Sequence, residues 1–216
     1  MLPSIAIAAV ALTSLLRRYA RNLSTRRKSR ERFVILVTGA SGCGKSTLTK
    51  RLADALNAPI VHQDDHFSAP FVQYKDAVDN RMELPDHIDF NGIIKEIESI
   101  AKTSENACPT VLIEGHTLLS DDNLVSVIDL IFFLDVESMD TGLKRRVGRR
   151  ERDAETNFYL IQYYRKFVWT AHQKYIIPKF AALLARGDPR IYVLRAEDSV
   201  DSLTNQSLAI ISKSRK

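Results

Sequence analysis

Two cysteines in 216 residues, Cys43 and Cys108, are too few for a disulfide-built secreted scaffold. A bilayer-spanning helix wants about 20 consecutive apolar residues. The most apolar stretch, Leu2 to Leu16, has 15, so a polytopic membrane protein is excluded. The five histidines show no metal-ligand spacing such as HExxH, and no structural zinc is expected. The Asn-Lys-x-Asp with which GTPase switches read their base is missing. The body also lacks the basic excess that the net charge of +5 suggests. Residues 1–30 hold seven of the 31 basic residues (Arg17, Arg18, Arg21, Arg26, Arg27, Lys28, Arg30) and none of the 26 acidic ones. The remainder thus carries 24 basic against 26 acidic residues, and general nucleic-acid binding loses its electrostatic argument. No internal repeat is present.

What is present, 45% hydrophobic and 26% charged residues, is ordinary globular composition. A chain of this length buries roughly 70% of the surface it would expose unfolded, enough to fold without staples. Residues 1–32 read as a targeting or anchoring leader and residues 33–212 as one domain. The Arg- and Ser-rich, acid-poor start is similar to a mitochondrial presequence. A short signal-anchor with its basic flank in the cytosol is the rival, and membrane contact is expected through the leader only. The expected location is intracellular, cytoplasm or mitochondrion.

From Phe33 the pattern changes. Phe33 to Val37 is a continuous apolar run, the mark of a strand buried on both faces. Ser46 to Leu56 follows, with Leu48, Leu52 and Leu56 on one helical stripe. Further strands are read at residues 59–62, 110–113, 128–134 and 190–194, and helices at 93–102, 139–152, 158–185 and 200–211. Strands alternating with helices predict an α/β fold with a parallel five-stranded sheet covered on both faces.

Gly39-Ala40-Ser41-Gly42-Cys43-Gly44-Lys45-Ser46 matches GxxxxGK[ST] between that first strand and helix. Glycines let the backbone turn its N–H groups inward as a nest for anionic oxygens, and the following helix dipole aims there too. Lys45 can reach the β- and γ-phosphates of ATP, and the Ser46 hydroxyl, followed by Thr47, can take a place on Mg²⁺. Cys43 lies inside the loop, where oxidation would crowd bound phosphate, so a reducing compartment is expected.

A phosphate loop serves many activities, so a second half-site must decide. The second strand ends in Gln63-Asp64-Asp65-His66-Phe67, at the carboxyl edge where parallel sheets bind ligands. A carboxylate there can orient an attacking hydroxyl and take its proton, a task given to Asp64 ahead of Asp65 because neighbours cannot both point into one site. The third strand ends in Glu114-Gly115, an acid that can hold metal-bound water or a substrate hydroxyl.

GASGCGKST, HQDDHF, LIEGHTLL and LKRRVGRR together resemble the uridine kinase and nicotinamide riboside kinase family of P-loop kinases, over residues 33 to about 210. The resemblance implies a P-loop NTPase three-layer sandwich with a helical lid. It also implies transfer of the ATP γ-phosphate to the 5′-hydroxyl of a ribonucleoside, with Mg²⁺. By that likeness Asp64 is the base, Glu114 a Mg²⁺-water or substrate contact, and Asp86, in Asp-His-Ile-Asp, the acid holding the ribose hydroxyls. Lys144 to Arg150 resembles the lid, with Arg146 and Arg150 four apart on one helix face, as are Arg145 and Arg149. The short segment between Lys102 and Pro109 lacks the base-holding hairpin of uridine kinases, which favours nicotinamide riboside. Pro85, however, stands where that branch has an aromatic residue, and Arg152-Asp153-x-Glu155 resembles a uridine-kinase stretch. A uridine or cytidine kinase is the alternative, as is an ATP-hydrolysing switch module with an idle acceptor site. Residues 158–180 hold eight of the 17 aromatic residues, expected chiefly as core or lid packing.

Overall fold

The computed structural model describes residues 32–68, 71–104 and 109–215. All but one residue of the expected leader, and Cys108, lie outside the described residues. Among the described residues no helix is long and apolar enough to cross a membrane.

Strands β1 (Phe33–Gly39), β2 (Ile60–His62), β3 (Thr110–Glu114), β4 (Leu130–Asp135) and β5 (Ile191–Arg195) form one sheet in the order β2-β3-β1-β4-β5. Every pairing is parallel, and Val37 of the central strand lies between Glu114 of β3 and Phe132 of β4. Successive side chains of β1 point to opposite faces. Phe33, Ile35 and Val37 pack with Leu48 and Leu52 of α1 (Lys45–Leu56) and with Leu203 and Ile211 of α7 (Val200–Ser214). Val34 and Leu36 pack with Ile93 and Ile97 of α2 (Phe90–Thr103), Leu124 of α3 (Asp122–Val127) and Leu183 of α6 (Ile177–Ala185). Helices therefore cover both faces and make three layers, as expected. Each fully buried aliphatic side chain in these faces contributes about 1.5–3 kcal/mol of transfer free energy.

Short polar side chains set where the helices begin. Asp89 caps α2 through the Gly92 N–H, Asp121 caps α3 through the Leu124 N–H, and Ser199 caps α7. The expected helix 139–152 stops early: α4 spans Met139–Gly148, and Asp153 starts α5 (Ala154–Tyr163) by accepting the Thr156 N–H at 2.7 Å. From Ala154 to Ala185 the chain is one helical rod in which two π-helical segments, Tyr164–Val168 and His172–Ile176, interrupt α5 and α6. Each π segment slips the register of the side chains that follow it. A third cluster, Leu143, Tyr163, Tyr164 and Val168 with Tyr74 and Met82 against it, fastens α4 and the rod to the segment after β2. These elements are the helices for which the resemblance implies a lid.

Candidate active site

The chain leaves β1 at Gly39 and turns into α1 over the carboxyl edge of the sheet. Gly42 has φ +87°, and a Cβ there would overlap the Gly142 carbonyl oxygen, so the close approach of this loop to α4 requires glycine. No side chain caps α1, which leaves its first N–H groups to the loop. Lys45 Nζ donates to the Gly39 and Ala40 carbonyls at 3.1 and 3.0 Å. Ser46 and Thr47 are exposed, while Ala40 and Cys43 are buried beneath the turn. Burial pushes the Cys43 thiol up against the pull of Lys45, which disfavours its thiolate. Tyr164, fully buried at the first π-helical turn, donates its hydroxyl to the Ser41 carbonyl at 2.7 Å.

A cleft of about 480 Å³ opens beside this loop. Ser41, Lys45, Ser46, Asp64, Glu114 and Arg146 all line it, so six positions from four separate motifs meet in one space. Asp64 stands on a single 3-10 turn, Gln63–His66, that continues β2, and is exposed; Asp65 is not among the lining residues.

Glu114, the last residue of β3, is buried, and its Oε1 meets His62 Nδ1 at 2.8 Å. Its Oε2 is buried without a hydrogen-bond partner. A lone buried carboxylate oxygen is costly unless a cation or donor reaches it. With the Ser46 hydroxyl it offers hard oxygen ligands of the kind Mg²⁺ takes. Among the described residues no three His, Cys, Asp or Glu side chains converge on a metal position. That pattern suits an ion held by one or two protein oxygens plus substrate phosphates, so the residues fit Mg²⁺.

The lid arginines divide. Arg146 donates from Nη2 to the Tyr74 hydroxyl at 3.2 Å across the cleft, and Arg149 lines the same wall. Desolvation, with Arg146 alongside, pushes the Arg149 guanidinium down. Arg150 does not line the cleft, because α4 ends at Gly148 and the expected four-residue face shared with Arg146 ends with it. Arg145 donates to the Ala196 carbonyl at 2.9 Å, past the end of β5.

Asp86 also falls elsewhere. It lines a separate hollow with Leu84, Pro85, Ser120 and Lys174. Pro85 opens a fresh 3-10 turn, Pro85–His87, whereas the preceding turn, Arg81–Glu83, ends on the acid that enters the cleft. That acid is Glu83, buried, with Oε2 accepting from His116 Nε2 and Oε1 from the Tyr163 hydroxyl, each at 3.1 Å. Burial and the adjacent Glu83 charge raise the Tyr163 phenol, keeping it a donor. Nearby His172 is buried between Phe133 and Trp169, and burial holds its pKa down at about 3.

Sequence reasoning missed Glu83, His62, His116 and the aromatic wall of Phe67, Phe71 and Tyr74. His116 lies inside the quoted LIEGHTLL motif, and Phe71 and Tyr74 in a Pro-bearing loop directly after HQDDHF; both were readable signals. The aromatics of 158–180 are mostly packing: Phe180 stacks on Phe133 with centroids 3.7 Å apart, and Tyr163 and Tyr164 are buried.

No family model matches the chain, and comparison with curated proteins finds no match. Solved structures do match. A gluconokinase from Sinorhizobium meliloti 1021 superposes with TM-score 0.54 at 17% identity, covering 85% of this chain and 94% of its own. An unliganded sugar kinase from Janibacter sp. HTCC2649 gives TM-score 0.50 at 16% identity, covering 84% and 95%. The chain has the α/β P-loop kinase fold of these proteins. At such identities the likeness is one of fold.

Proposed function

We propose that this protein is an ATP- and Mg²⁺-dependent kinase that phosphorylates the 5′-hydroxyl of a ribonucleoside, with nicotinamide riboside ahead of uridine or cytidine. The observation that carries the proposal is the shared cleft, in which the phosphate loop, the Asp64 carboxylate and the lid residue Arg146 line one space. Lys45 leaves the loop carbonyls for the β- and γ-phosphates, and Arg146 and Arg149 spread the charge of the transferring group. Ser46 and Glu114 would hold Mg²⁺, which when bound neutralises phosphate charge. Asp64 accepts the hydrogen bond of the acceptor hydroxyl and takes its proton as the new O–P bond forms and the bond to ADP breaks. Because such transition states are loose, orientation by Asp64 counts for as much as proton removal.

The cleft wall supports this choice of acceptor class. Phe67, Phe71, Tyr74 and Met82 offer an apolar, ring-bearing surface suited to a base. Asp64 and Glu83, on the turns away from the phosphate loop, disfavour an anionic sugar acid and suit a cationic pyridinium ring. Glu83, as a paired acceptor, suits a ribose diol.

A panel of nucleosides, sugars, sugar acids and small alcohols, scored by ADP release, tests the reading. Release stimulated by ribonucleosides, most by nicotinamide riboside, is expected. Release stimulated only by a sugar or sugar acid would refute the nucleoside assignment, and hydrolysis indifferent to every acceptor would refute the kinase.

A further inference from the structure

We propose that Gln63 and His116 form a relay of fixed polarity that aims the Glu83 carboxylate at two adjacent acceptor hydroxyls, which makes His116 a positioning residue for acceptor selectivity. The acceptor half of this rests on the kinase reading above; the relay itself rests on hydrogen-bond geometry alone.

The polarity starts at the backbone. The Thr117 N–H and the Thr117 hydroxyl both reach Gln63 Oε1, each at 2.9 Å. A backbone N–H can only donate, so this end of the Gln63 amide is its oxygen and the other end is its NH₂. Gln63 Nε2 then donates to His116 Nδ1 at 3.3 Å, which makes Nδ1 the acceptor and places the ring proton on Nε2. That proton is the one given to Glu83 Oε2. Gln63 and Thr117 are both buried, so no water competes for these groups. A Cβ at Gly115 would overlap Gln63 Oε1, and the glycine therefore admits the amide to the end of β3.

The consequence falls on Glu83. Each of its oxygens receives one protein donor, Nε2–H of His116 on one and the Tyr163 hydroxyl on the other. Each keeps a further lone pair, and the carboxyl plane can no longer rotate. Two acceptors at fixed spacing on a cleft wall match two neighbouring hydroxyl donors, and a 2′-deoxy acceptor satisfies only one of them.

The test has two arms on the full chain. Long-range proton–nitrogen correlation spectra of the labelled protein without nucleotide, at mildly alkaline pH, report the His116 tautomer, with the ring assigned by difference against His116→Gln. Protonated Nε2 with unprotonated Nδ1 is expected; a proton on Nδ1 or averaging between the two overturns the relay whatever the acceptor is. In the second arm His116→Phe raises the KM for the ribonucleoside about tenfold to hundredfold, with kcat moving far less, because a donor to a charged group is lost. The KM for the 2′-deoxy counterpart moves less than about threefold on the same reasoning. His116→Gln, whose amide can return a donor to Glu83, recovers most of the selectivity. Equal losses for both acceptors, or no recovery in His116→Gln, overturn the positioning role. A wild type that phosphorylates no nucleoside refutes the functional reading and the diol assignment with it, while the relay's polarity stands or falls on the spectrum.

Discussion

Tyr164→Phe isolates one bond between the lid and the phosphate loop. The ring is fully buried and Phe fills the same space, so no cavity opens and the apolar term is nearly unchanged. What disappears is the 2.7 Å bond to the Ser41 carbonyl. Such a bond contributes about 1 kcal/mol net, and a stranded buried acceptor costs about 1–3 kcal/mol. Ser41 is only partly buried, so water can reach it and the lower half of that range applies. A loss of about 1–1.5 kcal/mol in a domain of this size lowers Tm by roughly 2–6 °C. The same change frees the outer turn of the loop before nucleotide arrives, and ordering that turn then falls to binding, weakening ATP by about threefold to tenfold. Thermal melts without ligand, together with titration of a fluorescent ATP analogue, measure the two effects separately. A variant that melts with the wild type and binds the analogue equally well would refute the idea that this hydroxyl holds the loop.

Asp64→Asn should lower kcat by about 10²- to 10⁴-fold while leaving Tm close to wild type, since the side chain is exposed; steady-state turnover near wild type would remove Asp64 from its role. His172 supplies a pH test of packing. Its pKa is held at about 3 in the folded protein against the ordinary imidazole value of 6.5, so between these values the unfolded chain binds a proton that the native protein refuses. Its stabilising share is complete above the unfolded value and drains away on acidification, at up to about 1.4 kcal/mol per pH unit. His172→Phe keeps a ring between Phe133 and Trp169 and removes that proton, so its Tm should fall less than the wild type's from about pH 6 to pH 4. Parallel melting profiles for the two would contradict the assignment.

Features carried by local pattern could be read from the chain alone. An all-apolar strand, a glycine-rich turn and a leucine stripe sit next to one another in β1, the loop and α1, and each constrains only its neighbours. The places of Asp64 and Glu114 in the cleft lining could be anticipated for the same reason, as acids at or just past the ends of apolar strands. The residues that fall outside the cleft share a different cause. Among the described residues between β2 and α2 the helical pieces are single 3-10 turns, and a restart at Pro85 exchanges Asp86 for Glu83 in the cleft without changing any hydrophobic period. In the lid, an end at Gly148 breaks the repeat that tied Arg146 to Arg150, and Arg149 takes the cleft position. His116 and Tyr163 acquire meaning only through contacts 33 and 80 residues away in the chain, a distance no periodicity spans.

Tyr163 and Tyr164 are neighbours in the chain, yet one hydroxyl reaches Glu83 and the other reaches the Ser41 carbonyl, two separate parts of the cleft lining. The rod that carries them is thereby geared to both. A shift or twist of that rod as a body, for example from a molecule pressing on its outer side, moves both hydroxyls together. Retuning one contact without the other therefore takes the removal of one hydroxyl or a change in a loop, because any movement of the rod itself acts on both.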